Sequence, residues 1–281
     1  MLRTWLSIFL IASAVLAGCG TDSSSETSEE SSSSPSLPAP APIGHAVLNA
    51  YPHDTAAFTQ GLEVYNDYFF ESTGLLGRSS LRKVEIKTGK VVKKIDLPKD
   101  VFAEGLTVLN DTLYQLSWQN KLVFMYDAKT LKPLGNLPWS GEGWGITNDG
   151  KQLIISEGSD KLYFVQPSTL KINKVLSIND QYGSVNNLNE LEMVDGFIYA
   201  NRWQYDYILK IDPSSGQIVG LLNLSDFLAR NSRADLTYLK QKGSVAMESG
   251  AVLNGIAYYP KTKSVFITGK LWPEVFELSL K

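Results

Sequence analysis

Cysteine occurs once in the 281 residues, at Cys19, and histidine only twice, at His45 and His53. No intramolecular disulfide is possible, and the chain beyond Cys19 has no thiol chemistry. The histidines have no Cys/His spacing around them that would suggest zinc, and neither belongs to the inner positions of the repeats described below, which leaves a Ser/His/Asp triad without support. Acidic or amide side chains remain as donors for a structural calcium ion, but no loop matches a calcium template. No metal and no cofactor is therefore expected. A charge excess is missing as well. The first 44 residues hold one of the 26 basic residues and four of the 29 acidic ones, so the remainder carries 25 of each. Such a balance gives no electrostatic reason to expect nucleic acid or anionic lipid as a partner. Clear helical periodicity is scarce too; the one weak candidate lies near Leu224 to Tyr238.

The longest apolar run is at the N-terminus. "MLRTWLSIFLIASAVLAGC" carries one basic residue, Arg3, ahead of a run too short and poorly flanked to span a membrane. Its end, Leu16-Ala17-Gly18-Cys19, resembles the lipobox of bacterial lipoprotein signal peptides, which implies cleavage before Cys19 and a lipid on its sulfur. The plainer alternative is an ordinary signal peptide with a chance cysteine. Next comes "GTDSSSETSEESSSSPSLPAPAP", too polar to bury a core and read as a solvated tether. The expected organisation is a leader over 1–18, a tether over 19–42 and a folded body over 43–281. The expected location is outside the cytoplasm, tethered by lipid to a bacterial membrane.

From His45 onward, short runs of Val, Ile, Leu, Tyr and Phe alternate with Asn-Asp, Asp-Gly, Thr-Gly and Ser-Gly pairs, the pattern of strands and tight turns. These segments are also similar to one another. "FTQGLEVYNDYFFEST", "FAEGLTVLNDTLYQLSW", "EGWGITNDGKQLIISEG", "LNELEMVDGFIYANRW" and "LNGIAYYPKTKSVFITGK" each read as a hairpin opening on a small polar cluster. "KVEIKTGKVVKKIDLP" and its three counterparts follow as second hairpins. Two hairpins per repeat, at a period of roughly 40 to 50 residues, describe the blades of a β-propeller. The fold predicted is all-β, a five-bladed β-propeller. Its missing outer strand is "HAVLNAYP", paired with the C-terminal "VFELSL" so that the two ends of the chain close the ring. An all-β sandwich is the alternative, and the repeat order speaks against it.

In a propeller, equivalent positions of the innermost strands converge on one axial cavity. Aligning the repeats on their glycines places Gln60, Glu104, Trp144, Glu190 and Asn254 at matching points. Ends of the second strands contribute Glu71, Trp118, Glu157, Trp203 and Lys270. Any one tryptophan at a rim is ordinary packing; three at equivalent positions beside carboxylates read as walls of an apolar pocket. Glu63, Glu85 and the turn aspartates are read as solvated or turn-forming. Glu142 and Glu192 are read as structural, bonding backbone N–H groups near the channel. Glu104, between Phe102 and Gly105, has the strongest chemical case, because a desolvated carboxylate exchanges protons near neutral pH.

"FTQGL", "ESTG", "FAEGL", "EGWGIT", "NELEMVDGFIYANRW", "VLNGIAY" and "ITGKLWPEVFEL" together, in this order from Tyr51 to Leu280, resemble the plant and bacterial type of glutamine cyclotransferase. The resemblance implies a five-bladed propeller that converts an N-terminal glutaminyl residue to pyroglutamate with release of ammonia, without a metal. It implies peptides or proteins with N-terminal Gln as partners; a monomer is expected, though not on the ground of the resemblance. It places catalytic roles on Glu104 and Lys270, and substrate contacts on Phe58, Gln60, Phe102, Trp118, Trp144, Asn189 and Trp203. The segment "NSRADLTYLKQKGSVAMESG" does not align and receives no role. Two rival readings remain: a lipid-anchored propeller that binds a peptide or sugar without turnover, and a hydrolase or lyase using the same pocket.

Overall fold

The structure, a computed structural model, describes residues 37–237 and 250–281. Cys19, the leader and most of the expected tether lie outside the described residues. Ala41–Pro42 forms β1 and His45–Pro52 forms β2. The first blade is a meander of β3 (Thr59–Tyr65), β4 (Tyr68–Thr73), β5 (Ser80–Glu85) and β6 (Val91–Asp96). The second comprises β7 (Ala103–Leu109), β8 (Thr112–Ser117), β9 (Leu122–Asp127) and β10 (Pro133–Pro138). The third comprises β11 (Ile146–Asn148), β12 (Leu153–Ser156), β13 (Lys161–Val165) and β14 (Ile172–Ser177). A small hairpin, β15 (Asn179–Asp180) and β16 (Gly183–Ser184), leads into the fourth: β17 (Leu188–Val194), β18 (Phe197–Arg202), β19 (Tyr207–Ile211) and β20 (Ile218–Asn223). A short helix, α1 (Phe227–Asn231), falls inside the weak helical segment of the sequence, and β21 (Leu253–Tyr259), β22 (Ser264–Gly269) and β23 (Glu274–Leu280) belong to the fifth blade.

Local chemistry sets these meanders. Inner hairpins turn at Asn66-Asp67, Asn110-Asp111 and Asp195-Gly196, each with both residues at positive φ. That is the turn whose twist matches paired strands, and Asn, Asp and Gly tolerate it best. The ring closes as the sequence predicts: β2 lies antiparallel to β23, from His45 opposite Leu280 to Pro52 opposite Glu274. One boundary differs from the sequence reading. Ala41 and Pro42, assigned to the tether, pair in parallel with Gly220 and Leu221 as a fifth strand on blade four. Proline is tolerated at such an edge because its missing N–H can face away from the ladder.

The core is divided among the blade interfaces. Phe70 and Leu81 pack on Leu106 and Leu113 between blades one and two, and Leu116 and Val123 on Ile146 and Leu153 between two and three. Ile154 and Leu162 meet Leu191 and Ile198 between three and four, and Ile208 and Leu222 meet Ile256 and Phe276 between four and five. Leu62 and Phe69 meet Phe266 and Val275 where the ring closes. Near the axis the strands come too close for side chains. A Cβ on Gly145 would lie 1.9 Å from the Asn189 carbonyl oxygen, and one on Gly105 2.8 Å from the Ile146 nitrogen.

Strand register corrects one equivalence. Blades one, two, four and five each carry a bulge at the start of the inner strand. Ala103 opposite Ser117, Leu188 opposite Arg202 and Leu253 opposite Gly269 then align, which matches Glu104 with Asn189 and Asn254. Asn189, rather than Glu190, is therefore the fourth blade's equivalent of Glu104. Glu190 stands at the glycine position and uses its carboxylate across the channel, accepting from Leu62 N–H at 3.3 Å and Ile256 N–H at 2.9 Å. Glu192 acts likewise toward Tyr258 N–H at 2.7 Å, as its structural reading predicts. Glu63 departs from its solvated reading. It is partly buried and accepts from Val108 N–H on the next blade at 2.9 Å, and burial lifts its pKa to about 7.

Candidate active site

The polar ends of the inner strands and the turns after the second strands meet at one rim. There a cavity of about 550 Å³ is lined by Phe58, Gln60, Phe102, Glu104, Trp118, Trp144, Asn189, Trp203 and Lys270, joined by Gln204, Gly250 and Val252. The volume suits a small ligand or the end of a peptide. All nine residues to which the family resemblance assigns roles fall on this cavity. The last three receive no role in that reading. Gln204 follows Trp203 and has φ +69°, as Gly158 follows Glu157 at +80° and Leu271 follows Lys270 at +63°. A left-handed residue thus turns the chain directly after each of these strand-end residues in blades three to five. That recurring position was the available signal for Gln204. Gly250 ends the segment that has no counterpart in the other repeats, and Val252 lies just beyond it, at the start of "VLNGIAY".

The cavity is polar at its floor and aromatic at its walls. Gln60, Glu104, Asn189 and Lys270 are buried, whereas Trp118 and Trp203 keep 37% and 36% exposure. The walls are ordered by edge contacts: Phe58 on Phe102 at 6.2 Å, Phe102 on Trp118 at 5.9 Å, and Trp144 on Trp203 at 5.8 Å between ring centroids. Phe58 also lies under the Lys270 ammonium, 4.8 Å from its ring centre. Backbone bonds fix the turns: Lys270 N–H to Val252 O at 2.9 Å, Trp203 N–H to Asn187 O at 2.8 Å, and Trp118 N–H to Phe102 O at 3.0 Å.

Burial governs the charges. It pushes the Glu104 carboxyl well above the ordinary carboxylate value of 4.5; the Lys270 charge opposes this and the Glu142 charge adds to it. Burial likewise brings the Lys270 ammonium down to about 8, against the pull of Glu104. A carboxyl and an amine whose proton affinities approach each other can pass protons near neutral pH. Asn254 donates to Thr59 O at 3.0 Å and to Gln60 Oε1 at 3.4 Å, holding the Gln60 amide in place. Asn189 Oδ1 is buried without a hydrogen-bond partner among the described residues, an acceptor in reach of a ligand's N–H.

Other sequence candidates lie elsewhere. Glu157 accepts from Tyr163 O–H and Ser159 O–H. Glu71 is buried beside His53 and Thr59. Glu142, expected to bond backbone N–H groups, instead accepts the indole N–H of Trp118 at 2.8 Å and that of Trp144 at 3.1 Å. Among the described residues no group of three or more His, Cys, Asp or Glu side chains is arranged to hold a metal ion.

Comparison with known proteins identifies the family. The glutamine cyclotransferase family model matches residues 12–280. A glutaminyl-peptide cyclotransferase of Arabidopsis thaliana is 40% identical over 240 residues, which is 84% of this chain and 71% of the plant protein. The crystal structure of the Myxococcus xanthus glutaminyl cyclase superposes with a TM-score of 0.75 at 34% identity, covering 86% of this chain and 98% of that one. A five-bladed propeller with a buried glutamate and lysine under aromatic walls, matched over nearly its whole length in sequence and structure, belongs to the glutamine cyclotransferase family.

Proposed function

We propose that the chain cyclises N-terminal glutaminyl residues of peptides, releasing ammonia, with its own side chains as the proton carriers and no metal. The observation that carries this reading is Glu104: a buried carboxyl of raised proton affinity beside Lys270, at the floor of a cavity walled by aromatic rings. The reaction needs little else. The α-amine nitrogen attacks the side-chain carboxamide carbon, a C–N bond forms within the ring, and the bond to the amide nitrogen breaks. Glu104 takes the proton from the attacking amine and delivers it to the departing nitrogen, so that ammonia leaves and the carboxylate is restored. Because the nucleophile is tethered to its target, holding the substrate in its cyclising conformer removes much of the entropic barrier. Lys270 and the Gln60 amide stabilise the oxyanion that develops on the carboxamide oxygen, and Asn189 Oδ1 accepts from a substrate N–H. The aromatic walls exclude water, which favours cyclisation over hydrolysis.

The same reading extends to location. The lipobox-like Leu16 to Cys19 supports an exported, lipid-anchored chain whose cavity meets peptides outside the cytoplasm. Incorporation of labelled palmitate into the wild-type chain and its absence from Cys19→Ser tests the anchor. For the reaction, the full chain is incubated with a Gln-initiated dipeptide and with its N-acetylated form. Pyroglutamyl product and ammonia are expected from the first alone, since the second has no free α-amine. Ammonia from both would indicate an amidohydrolase; tight binding of either without product would indicate a non-catalytic propeller.

A further inference from the structure

Glu142 does not line the cavity, yet three indole N–H groups converge on it. Trp118 and Trp144 both donate to the same carboxylate oxygen, Oε2, at 2.8 and 3.1 Å, and Trp139 donates to the Glu142 carbonyl at 3.0 Å. Gln119 approaches the other oxygen, Oε1, at 3.4 Å. Trp118 follows the second strand of blade two, and Trp144 precedes the first strand of blade three. The carboxylate is therefore a bridge between blades at the cavity mouth. It also joins two otherwise separate aromatic stacks, Phe58–Phe102–Trp118 on one side and Trp144–Trp203 on the other.

The loop that carries Glu142 has little room to move. A Cβ on Gly141 would lie 2.7 Å from Glu157 Oε2, and one on Gly143 2.8 Å from the Ser117 carbonyl oxygen. Gly143 N–H also bonds Trp118 O at 3.3 Å. A fixed backbone presents a charged acceptor to two indoles, and charge-assisted bonds are stronger and shorter than neutral ones. Free rotation of either ring would change the width of the cavity.

We propose that Glu142 is a positioning residue for the cyclisation: it locks the Trp118 and Trp144 rings into one wall and so sets the slot that receives the glutaminyl side chain. This rests on the cyclotransferase reading above. Glu142 has a second, electrostatic effect. The charged groups that bear on Glu104 are Lys270, from the turn after β22, and Glu142, from the loop before β11. The Glu142 charge opposes ionisation of Glu104, so removing it lowers the proton affinity of Glu104.

Two substitutions separate the effects. Glu142→Gln keeps a carbonyl oxygen able to accept both indoles but removes the charge. Its KM stays within about twofold of wild type, and the acid limb of kcat/KM moves to lower pH. Glu142→Ala removes both and raises KM about tenfold or more with a smaller change in kcat, as misplacement of a substrate wall does. Unchanged KM in Glu142→Ala, or equal effects of Ala and Gln on KM, overturns the proposal. The indole ¹⁵N–¹H signals of the full chain, assigned with Trp118→Phe and Trp144→Phe, judge it independently of turnover. Both signals move in Glu142→Ala if the bridge orders the rings; if neither moves, the proposal fails. Absence of turnover in the wild-type chain would refute the cyclotransferase reading, while these signals would still decide whether Glu142 holds the wall.

Discussion

Replacing Glu71 by Gln should loosen the propeller where its ends meet. Glu71 is buried on β4 and accepts from Thr59 O–H at 2.7 Å, and its Oε1 lies 2.8 Å from His53 Nε2. The other ring nitrogen of His53 meets the Trp272 carbonyl of blade five at 2.8 Å, and Arg82 Nη1 stands 3.8 Å from Glu71 Oε2. The pair therefore ties β2 to blades one and five, two residues from Lys270. Burial alone would disfavour both charges, but they offset this for each other: His53 ends above its ordinary 6.5 and Glu71 below its ordinary 4.5. A raised histidine stabilises fully below its unfolded pKa and loses that contribution as pH rises through its folded pKa. A depressed carboxylate stabilises above its unfolded pKa and loses that contribution as pH falls through its folded pKa. Their joint contribution is thus greatest between about pH 4.5 and 6.5. Leaving one member of such a buried pair unmatched costs about 3–5 kcal/mol. For a body of this size that corresponds to a Tm lower by about 10 °C. Thermal unfolding of wild type and Glu71→Gln, followed by circular dichroism from pH 5 to 9, reads the effect. The gap should be widest near pH 6 and narrow as His53 loses its proton. A gap below about 1 kcal/mol, or one independent of pH, would refute the reasoning.

Gly145→Ala should cost about 3 kcal/mol of stability in urea and impair turnover together, because its Cβ would meet the Asn189 carbonyl at 1.9 Å and must push β11 from β17. A variant as stable as wild type would contradict the close approach. Glu190→Gln should cost about 1–3 kcal/mol, since one of the two backbone N–H groups held by its separate oxygens would face an amide N–H instead; equal urea midpoints would show that this bridge is dispensable. The pH profile of kcat/KM should have an acid limb well above 4.5, where Glu104 gains its charge, and decline above about 8 as Lys270 loses its proton. An acid limb at the ordinary carboxylate value would place the titrating base outside this cavity.

The repeats make most of the fold legible in the sequence, because each blade spells out its own turns. Asn66-Asp67 and Asn110-Asp111 announce hairpins, and "HAVLNAYP" has no partner except the C-terminal strand. The site is legible for the same reason: glycine-flanked polar residues at repeated positions must converge on an axis. What escapes notice depends on contacts between repeats. A bulge displaces register by one residue without marking the sequence, so the glycine alignment selects Glu190 where the ladder selects Asn189. Glu63 looks like an exposed strand residue until the neighbouring blade brings Val108 N–H to it. Ala41 and Pro42 read as tether because proline hides a parallel edge pairing. Glu142 reads as a channel carboxylate, and only the approach of two blades gives it two indoles to hold.

Glu104→Gln, assayed for ammonia release from a Gln-initiated dipeptide with and without a chelator, tests the central claim most directly. Gln retains the shape of the side chain but cannot carry the proton. Wild-type release unaffected by chelation, falling at least about 10²-fold in Glu104→Gln with unchanged thermal unfolding, is the expected result. Wild-type turnover in the variant, or loss of activity on chelation that added metal restores, would contradict proton transfer by Glu104 as the basis of the reaction.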